Sequence, residues 1–496
     1  MSLPKGIVPT LPGHRRRPTI GPFDLRLPAR RSFLCESLAA AGLAALWPAL
    51  GAAAPLHRID NVTGLYPVRV ARIATPTTAA EVATALRAWP GKVAVGGGRY
   101  SMGGQVAIQG GLHLDMRSMK RLLWVRPAER LVRVQAGMRW RDLQDVLDPM
   151  NLAVQTMQSY ANFTVGGSVA VNAHGRYVGN GAVGHSVRAL QLVLADGSIV
   201  EASRSRHAEL FGAAIGGYAA LAVITEVELA LAENVRLERT VTTVPLASYV
   251  QHFEQSVLGD PASVLHNADL LAPDFDAPVC VTWRQTDRPP TEPARLVPRG
   301  APYRVEQNVL WAVTELPGGE RLRASVIHPL LLARPAVAWR NHEASLDVAE
   351  LEPRTRRMSS YVLQEFFIPK RNFLRFVQAF AKALRHGAVH AVNVSIRHSP
   401  PDRLSLLPWA REEVFCFVLY FKQRTHERAL AEVAQWTRAL IELALDNEGR
   451  YYLPYQLHAT REQFDRAYPE AAKLRRLKRE LDPTHKLSNE LWAKYL

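Results

Sequence analysis

Cysteine is nearly missing from this chain, with three in 496 residues: Cys35, Cys280 and Cys416. Beyond the N-terminal stretch only one pair is left, which excludes a disulfide framework and a cysteine-built zinc site. Long apolar runs are lacking too. The small-residue stretch 37–54 is short and broken by Gly42 and Pro48, which argues against a stable transmembrane span. There is no internal repeat and no low-complexity segment. No Gly-x-Gly-x-x-Gly fingerprint follows a strand, so a nicotinamide site is disfavoured. Acidic residues are in deficit, 45 against 61 Lys and Arg, for a net charge of +16. No nucleic-acid motif or basic–aromatic stripe accompanies that excess. It reads as a solvated basic surface, or as attraction for an anionic substrate, cofactor or envelope surface.

Part of the positive charge belongs to an address. Residues 1–54 carry seven Lys and Arg against Asp24 and Glu36. Arg30-Arg31-Ser32-Phe33-Leu34 precedes the small apolar run, which closes on Gly51-Ala52-Ala53-Ala54. Paired arginines, a weakly hydrophobic segment and small terminal residues are the pattern of a twin-arginine signal, which exports proteins already folded. Pro55 blocks cleavage directly after Ala54. The expected location is the periplasm or cell envelope.

Glycine, by contrast, is concentrated. The segment Gly96-Gly97-Gly98-Arg99-Tyr100-Ser101-Met102-Gly103-Gly104-Gln105 follows a strand-like run over 92–95. A second segment, from Thr164 through Val165-Gly166-Gly167-Ser168 to Asn172-Ala173-His174-Gly175, comes about sixty residues later. Glycine lets backbone amides approach a ligand and point together at phosphate oxygens. Two such segments, each tied to regular structure, predict a cradle for a large phosphate-bearing cofactor.

Around them the pattern predicts an α+β chain. Thr78-Ala79-Ala80-Glu81 reads as a capping box opening a helix to about residue 88, stopped by Pro90. Strands are expected over 112–116 and 131–135, and a helix over 140–147. A hairpin over 190–202 turns at Asp196-Gly197, a short helix spans 207–215, and a strand spans 221–230. Farther on, strands over 361–368, 391–397 and 414–421 alternate with helices over 372–385 and 426–445. The expected organisation is a leader (1–54), a two-subdomain cofactor domain (61–235), an α+β substrate or cap domain (236–445), and a segment returning to the cofactor domain (446–496).

The two glycine segments, with Leu210-Phe211-Gly212-Ala213-Ala214-Ile215-Gly216-Gly217 leading to Val223-Ile224-Thr225-Glu226, resemble the vanillyl-alcohol-oxidase or PCMH-type FAD-binding flavoproteins. The likeness is to their sugar- and lactone-oxidising branch: gulonolactone and arabinonolactone oxidases, alditol oxidase and decaprenylphosphoryl-ribose oxidase. That resemblance implies an FAD held by Gly96, Gly97, Gly98, Arg99, Tyr100, Ser101 and Gln105 around the pyrophosphate. Thr164, Gly166, Gly167, Ser168, Asn172, His174 and Gly175 would pass under the isoalloxazine and ribityl chain. The Ile224 backbone would meet the adenine-ribose end, and Tyr452 the flavin. Many relatives carry a flavin-linking histidine where this chain has Tyr100, so noncovalent FAD is expected.

The resemblance also implies chemistry: removal of hydride from a CH–OH carbon of a sugar, aldonolactone or related alcohol. The branch places a Glu-x-Arg pair on a strand facing the flavin. Here Arg397 fits the arginine, with Ser395 where the glutamate stands, two residues earlier and on the same strand face. Serine is a poor base, so the proton acceptor is sought among Glu365, Tyr455 (at a lysine position of the ribose-oxidising relatives) and His458. The electron acceptor is left open among dioxygen, a quinone and a redox protein. Two other readings stand beside this one: a reductase of an unsaturated substrate, and a non-catalytic envelope-binding protein on the same fold. No metal, no nucleic acid and no membrane span are expected.

Overall fold

The computed structural model describes residues 56–353, 355–386 and 389–496. The stretch read as a twin-arginine signal, with Cys35, falls outside them. Residues 55–496 cluster as one unit.

Three sheets position the site. The first is a parallel three-stranded sheet, with Leu112–Asp115 between Arg72–Ala74 and Val93–Gly96. Its central strand is buried along its whole length, as parallel strands covered on both faces are. The helix Ala79–Ala88 packs Val82, Ala83 and Leu86 into its core. Thr78 caps that helix by accepting from the Glu81 N–H at 3.2 Å. The expected box is only half formed, because the Glu81 carboxylate turns outward to the Thr77 N–H at 2.8 Å. A complete capping box lies instead at Thr460 and Gln463.

The second sheet is antiparallel, in the order Ile199–Ser203, Val187–Leu194, Ala222–Glu233, Leu131–Gln135, Leu122–Arg126, with Leu152–Val154 paired to the far end of Ala222–Glu233. Its hairpin turns at Asp196-Gly197, where Gly197 takes φ +85° and Asp196 accepts from the Ser198 N–H.

The third sheet has eight strands, and four neighbours within it hold the candidate catalytic residues: Ser263–Leu270, His390–Ser399, Val414–Arg424 and Ser359–Pro369, all antiparallel. Val414–Arg424 is apolar at nearly every position because both its faces are covered. On one face the helix Phe373–His386 lays Phe373, Phe376, Val377, Phe380, Ala381 and Leu384 against Phe366, Phe415 and Phe417. Those positions follow the i, i+3, i+4, i+7 rule for a single buried stripe. The opposite face carries Glu365, Arg397 and Cys416 and looks toward the glycine loops.

A helical hairpin covers another part of that second face. Its first arm, Arg304–Glu315, buries Leu310 against Tyr361, Val392 and Tyr420. Its second arm runs Gly319–Leu322, Arg323–Ile327 and His328–Leu332.

The C-terminal segment closes back onto the first sheet. The Val93 N–H donates to Lys486 O at 2.7 Å and the Ser488 N–H to Val93 O at 2.9 Å. Lys478 anchors this return: its buried ammonium bonds the Asp482 carboxylate at 2.6 Å and the carbonyls of Ala220 and Leu487. No helix among the described residues is long and apolar enough to cross a membrane.

Candidate active site

The first glycine segment is built around buried side chains that leave no space above them. A Cβ on Gly96 would strike the His113 imidazole, and one on Gly97 would strike the Thr164 hydroxyl. Arg99 takes φ +62°, a left-handed conformation that turns the chain sharply. Its carbonyl is pinned by the Val62 N–H at 3.0 Å. Its guanidinium is drawn inward to Asp115 at 2.9 Å and His113 Nε2 at 3.1 Å. Arginine can only donate, so His113 Nε2 accepts and Nδ1–H donates to Val106 O at 2.9 Å. Burial, then the Arg99 charge, lower the His113 pKa to about 4, and the ring is neutral at pH 7. Arg99 therefore offers the loop its backbone and not its side chain. Among the described residues, the N–H groups of Gly98, Arg99, Tyr100 and Ser101 have no acceptor. Four consecutive unpaired amides are the donor array an anionic group requires.

Tyr100 packs edge-on against Phe163, ring centroids 4.5 Å apart, and so ties the first loop to the second. Burial raises its phenol to about 12, keeping it protonated. Gln105 is fully occupied within the protein. Its Oε1 accepts from the Gly103 N–H at 2.8 Å, and its Nε2 donates to Leu453 O at 2.7 Å and Tyr455 O at 2.8 Å. It latches the loop to the C-terminal segment, a different task from the cofactor contact expected of it.

The second segment opens the short helix Val165–Ala170. Ser168 Oγ bonds Trp140 Nε1, Gln158 and Thr164 O within 3.0 Å, so it shapes the loop. Asn172, at φ +49°, accepts from the Gly184 N–H and donates to Asp402 at 2.8 Å, another shaping role. Gly166 lies against Ala136, and Gly175 against Met157 O and the Tyr177 ring. Ile224 sits at a bulge of the Ala222–Glu233 strand, beside Thr225, whose carbonyl leaves the ladder for the Ala136 N–H. Two buried hydroxyls of this region, Thr164 Oγ1 and Ser159 Oγ, have no partner. Buried polar atoms are seldom left so, and a polar ligand between the loops would satisfy them. The free amides, the glycines and these hydroxyls together fit a dinucleotide such as FAD.

On the sheet face below, register brings the candidate catalytic groups together. Asp269, Ser395, Val418 and Glu365 form one row across four strands, and Arg397, Cys416 and Phe367 the next. His174, reaching down from the second glycine segment, places Nε2 2.5 Å from Glu365 Oε1. Both atoms are acceptors unless protonated, so one proton lies between them. Tyr455 donates from its hydroxyl to Glu365 Oε2 at 3.2 Å. Tyr452 donates its N–H to Glu365 O at 3.0 Å and its hydroxyl to Val171 O at 2.8 Å. Glu365 is 2 % exposed, a burial that a carboxylate tolerates only with such partners.

Next to this cluster, the Arg397 Nε is buried without a partner. Burial, then the Glu365 charge, push the Tyr455 phenol well above its ordinary range, while Arg397 draws it back slightly. The Cys416 thiol is raised in the same way. Both stay protonated at neutral pH, so neither is a free base, and the Tyr455 hydroxyl can lose its proton only as Glu365 Oε2 receives it. Ser395 stands beside Asp269. Burial raises that carboxyl, but bonds from His328 and Asn393 more than offset it and hold it below its ordinary value.

His458 does not join the cluster. The charges it feels are Lys494 and Arg438, and burial first, then those cations, lower it to about 4. Sequence reasoning missed Cys416, Phe367, Trp409 and Asp402. Trp409 stacks on Phe367 at 4.3 Å and tilts over His174 at 5.0 Å, walling the pair off from water. Asp402 anchors Asn172 from 230 residues away. No local pattern around these four marks them, since each acts through partners distant in sequence.

The sequence profile of the FAD binding domain family matches residues 70–203. Over 420 residues the chain is 25% identical to an L-gulonolactone oxidase of Bos taurus, covering 82% of this chain and 91% of that protein. It is 32% identical over 177 residues to an alditol oxidase of a Streptomyces species, 35% of this chain and 41% of that one. It is also 28% identical over 186 residues to a mitochondrial L-galactono-1,4-lactone dehydrogenase of Brassica oleracea, 37% of this chain and 31% of that one.

Proposed function

We propose that this chain, an FAD-dependent oxidoreductase whose residues 70–203 match the FAD binding domain family, oxidises the CH–OH group of a sugar, aldonolactone or related alcohol. The carrying observation is the buried His174–Glu365–Tyr455 cluster beside Arg397, whose buried Nε has no partner among the described residues, on the sheet face below the glycine loops. FAD would be held by the amides of residues 98–101 and by the Thr164 hydroxyl. When bound, it supplies the two-electron acceptor that takes hydride from the carbinol carbon. The chain's own residues handle the proton and the charge. Tyr455 accepts the substrate hydroxyl proton as its own proton passes to Glu365 Oε2, a relay that needs no unfavourable phenolate. His174 holds Glu365 in place through the shared proton. Arg397 stabilises negative charge growing on the substrate oxygen, which fixed cationic donors do well in a water-poor site. Ser395 is a hydrogen-bond partner for a neighbouring substrate hydroxyl.

The test is anaerobic flavin bleaching by a panel of sugar alcohols and aldonolactones in a stopped-flow instrument. Glu365→Gln should slow bleaching by about 10²-fold or more, the usual scale for a lost proton acceptor. Arg397→Ala should slow it comparably, and an unchanged rate in either variant would remove that residue from the mechanism. We further infer that the protein is exported through the twin-arginine pathway to the periplasm or cell envelope, on the strength of Arg30-Arg31 and the following apolar run. Replacing both arginines with lysine should hold the protein in the cytoplasm on fractionation.

A further inference from the structure

The hairpin over 304–332 carries two apolar surfaces where one would suffice. Its inner side is accounted for: Leu310 packs on Tyr361 and Tyr420, Thr314 Oγ1 meets Tyr361 OH at 2.6 Å, and Arg323 donates to Val392 O at 2.6 Å. The outer side is not. On the first arm Val305, Val309 and Leu316, spaced i, i+4, i+11 and with Ala312 between them, form an exposed stripe. On the second arm Leu322, Val326 and Leu330, spaced i, i+4, i+8, form another. Leu330 and Leu331 are 67 % and 69 % exposed, and Trp311 is 55 % exposed. Of the large hydrophobic side chains exposed in the described residues, nearly half lie in this one hairpin. Apolar residues scattered singly over a surface need no explanation, but a patch of this extent does.

We propose that the hairpin docks on a lipid bilayer with anionic headgroups, lying in the interface with its outer stripes in the acyl boundary. Charge selects this occupant. The exposed charged residues of the hairpin and its exit are Arg304, Arg321 and Arg334 against Glu306, with Glu320 and Arg323 both half-exposed and of opposite sign. Glu315 is neutralised by Arg424 at 3.0 Å and by Lys422. The whole chain carries +16. Amphipathic helices with arginines flanking a Leu and Val face bind anionic interfaces through both terms together. A second copy of the chain fits less well, because a two-fold contact would set these arginines against themselves. The hairpin packs on the same sheet face as Glu365: Tyr361, its main support, lies four residues away, or about 13 Å along the strand. Its second arm reaches the active row itself, with His328 bonded to Asp269 beside Ser395. Docking would therefore bring the neighbourhood of the active site against the membrane.

Co-sedimentation of the full-length flavoprotein with vesicles of phosphatidylglycerol and phosphatidylcholine, or of phosphatidylcholine alone, tests this. Binding should be strong to the anionic vesicles, weak to the zwitterionic ones, and weakened by salt. Leu330→Glu/Leu331→Glu should lower the partition coefficient at least tenfold with flavin absorbance and bleaching rate retained. A tryptophan placed on the stripe by Val309→Trp should be quenched by brominated lipid in anionic vesicles, and Leu330→Glu/Leu331→Glu should remove that added quenching. Equal binding by the Glu variant would overturn the proposal, since the leader or another surface would then be responsible. Absence of vesicle binding would overturn it too, and a dimer in light scattering that the Glu variant abolishes would identify the stripe as a self-association face instead.

Discussion

His113 illustrates at the scale of one residue how the loop geometry imposes chemistry. It fills the space beneath Gly96 and is fully enclosed, so its charged form is excluded down to a pKa of about 4. An unfolded imidazole protonates near 6.5. The fold therefore has the whole of this contribution above pH 6.5 and loses it as pH falls toward 4, about 3 kcal/mol in all. His113→Asn, which keeps a donor for Val106 O, should flatten that part of the acid limb in urea titrations run between pH 7 and 4. An unchanged slope would mean that His113 is already accessible to protons. The same scale shows what a linear sequence can reveal. Gly96, Gly97 and Gly175 were legible because tight backbone approach admits no other residue. Ser395 and Arg397 were legible as an alternating pair on a strand. The joining of His174 to Glu365 was not, because 191 residues separate two side chains that touch.

Elements divide in the same way. Ser359–Pro369, Val414–Arg424 and the helix Phe373–His386 could be read directly, since continuous apolar runs and a 3.6-residue stripe have few other uses. Phe376→Ala should cost about 3–5 kcal/mol by leaving a cavity among Phe366, Phe380 and Phe417, seen as a large drop in the denaturation midpoint. Between 236 and 355 the signals mislead. Arg236–Thr243 buries only Leu237, and the hairpin helices turn apolar residues outward, so neither period points to a core. The first glycine loop is an element whose shape depends on another. With Gln105 bonded to Leu453 O and Tyr455 O, the loop is set by the C-terminal segment. Gln105→Ala should weaken FAD binding by about tenfold, the equivalent of one or two lost buried hydrogen bonds, measured by flavin fluorescence on titrating the stripped protein. Unaltered affinity would show that the loop holds its form unaided.

For the molecule as a whole, the cofactor should be a separable component. Tyr100 stays protonated and packed on Phe163, which makes it a poor nucleophile. Acid precipitation should leave the yellow colour in the supernatant, and a fluorescent band on a denaturing gel would refute noncovalent attachment. Because FAD binds only the folded chain, stripping it should lower the melting temperature, with recovery that rises with added FAD concentration. The α+β architecture was legible from the alternation of helix and strand signals, and the flavin from the family resemblance that the glycine segments helped to carry. The eight-stranded order was not, because it depends on strands meeting across more than a hundred residues.

The return of the C-terminal segment has a consequence for biosynthesis. Val93, at the root of the first glycine loop, is bonded on its open side by Lys486 and Ser488, and Lys486 Nζ reaches Leu86 O across 400 residues of chain. A ribosome that has just released the glycine loop has yet to make the strand partner, the Gln105 anchor points and the Lys478 clasp that fix it. Flavin loading must wait for the finished polypeptide, so nascent chains stalled before residue 480 should emerge without cofactor however much FAD surrounds them.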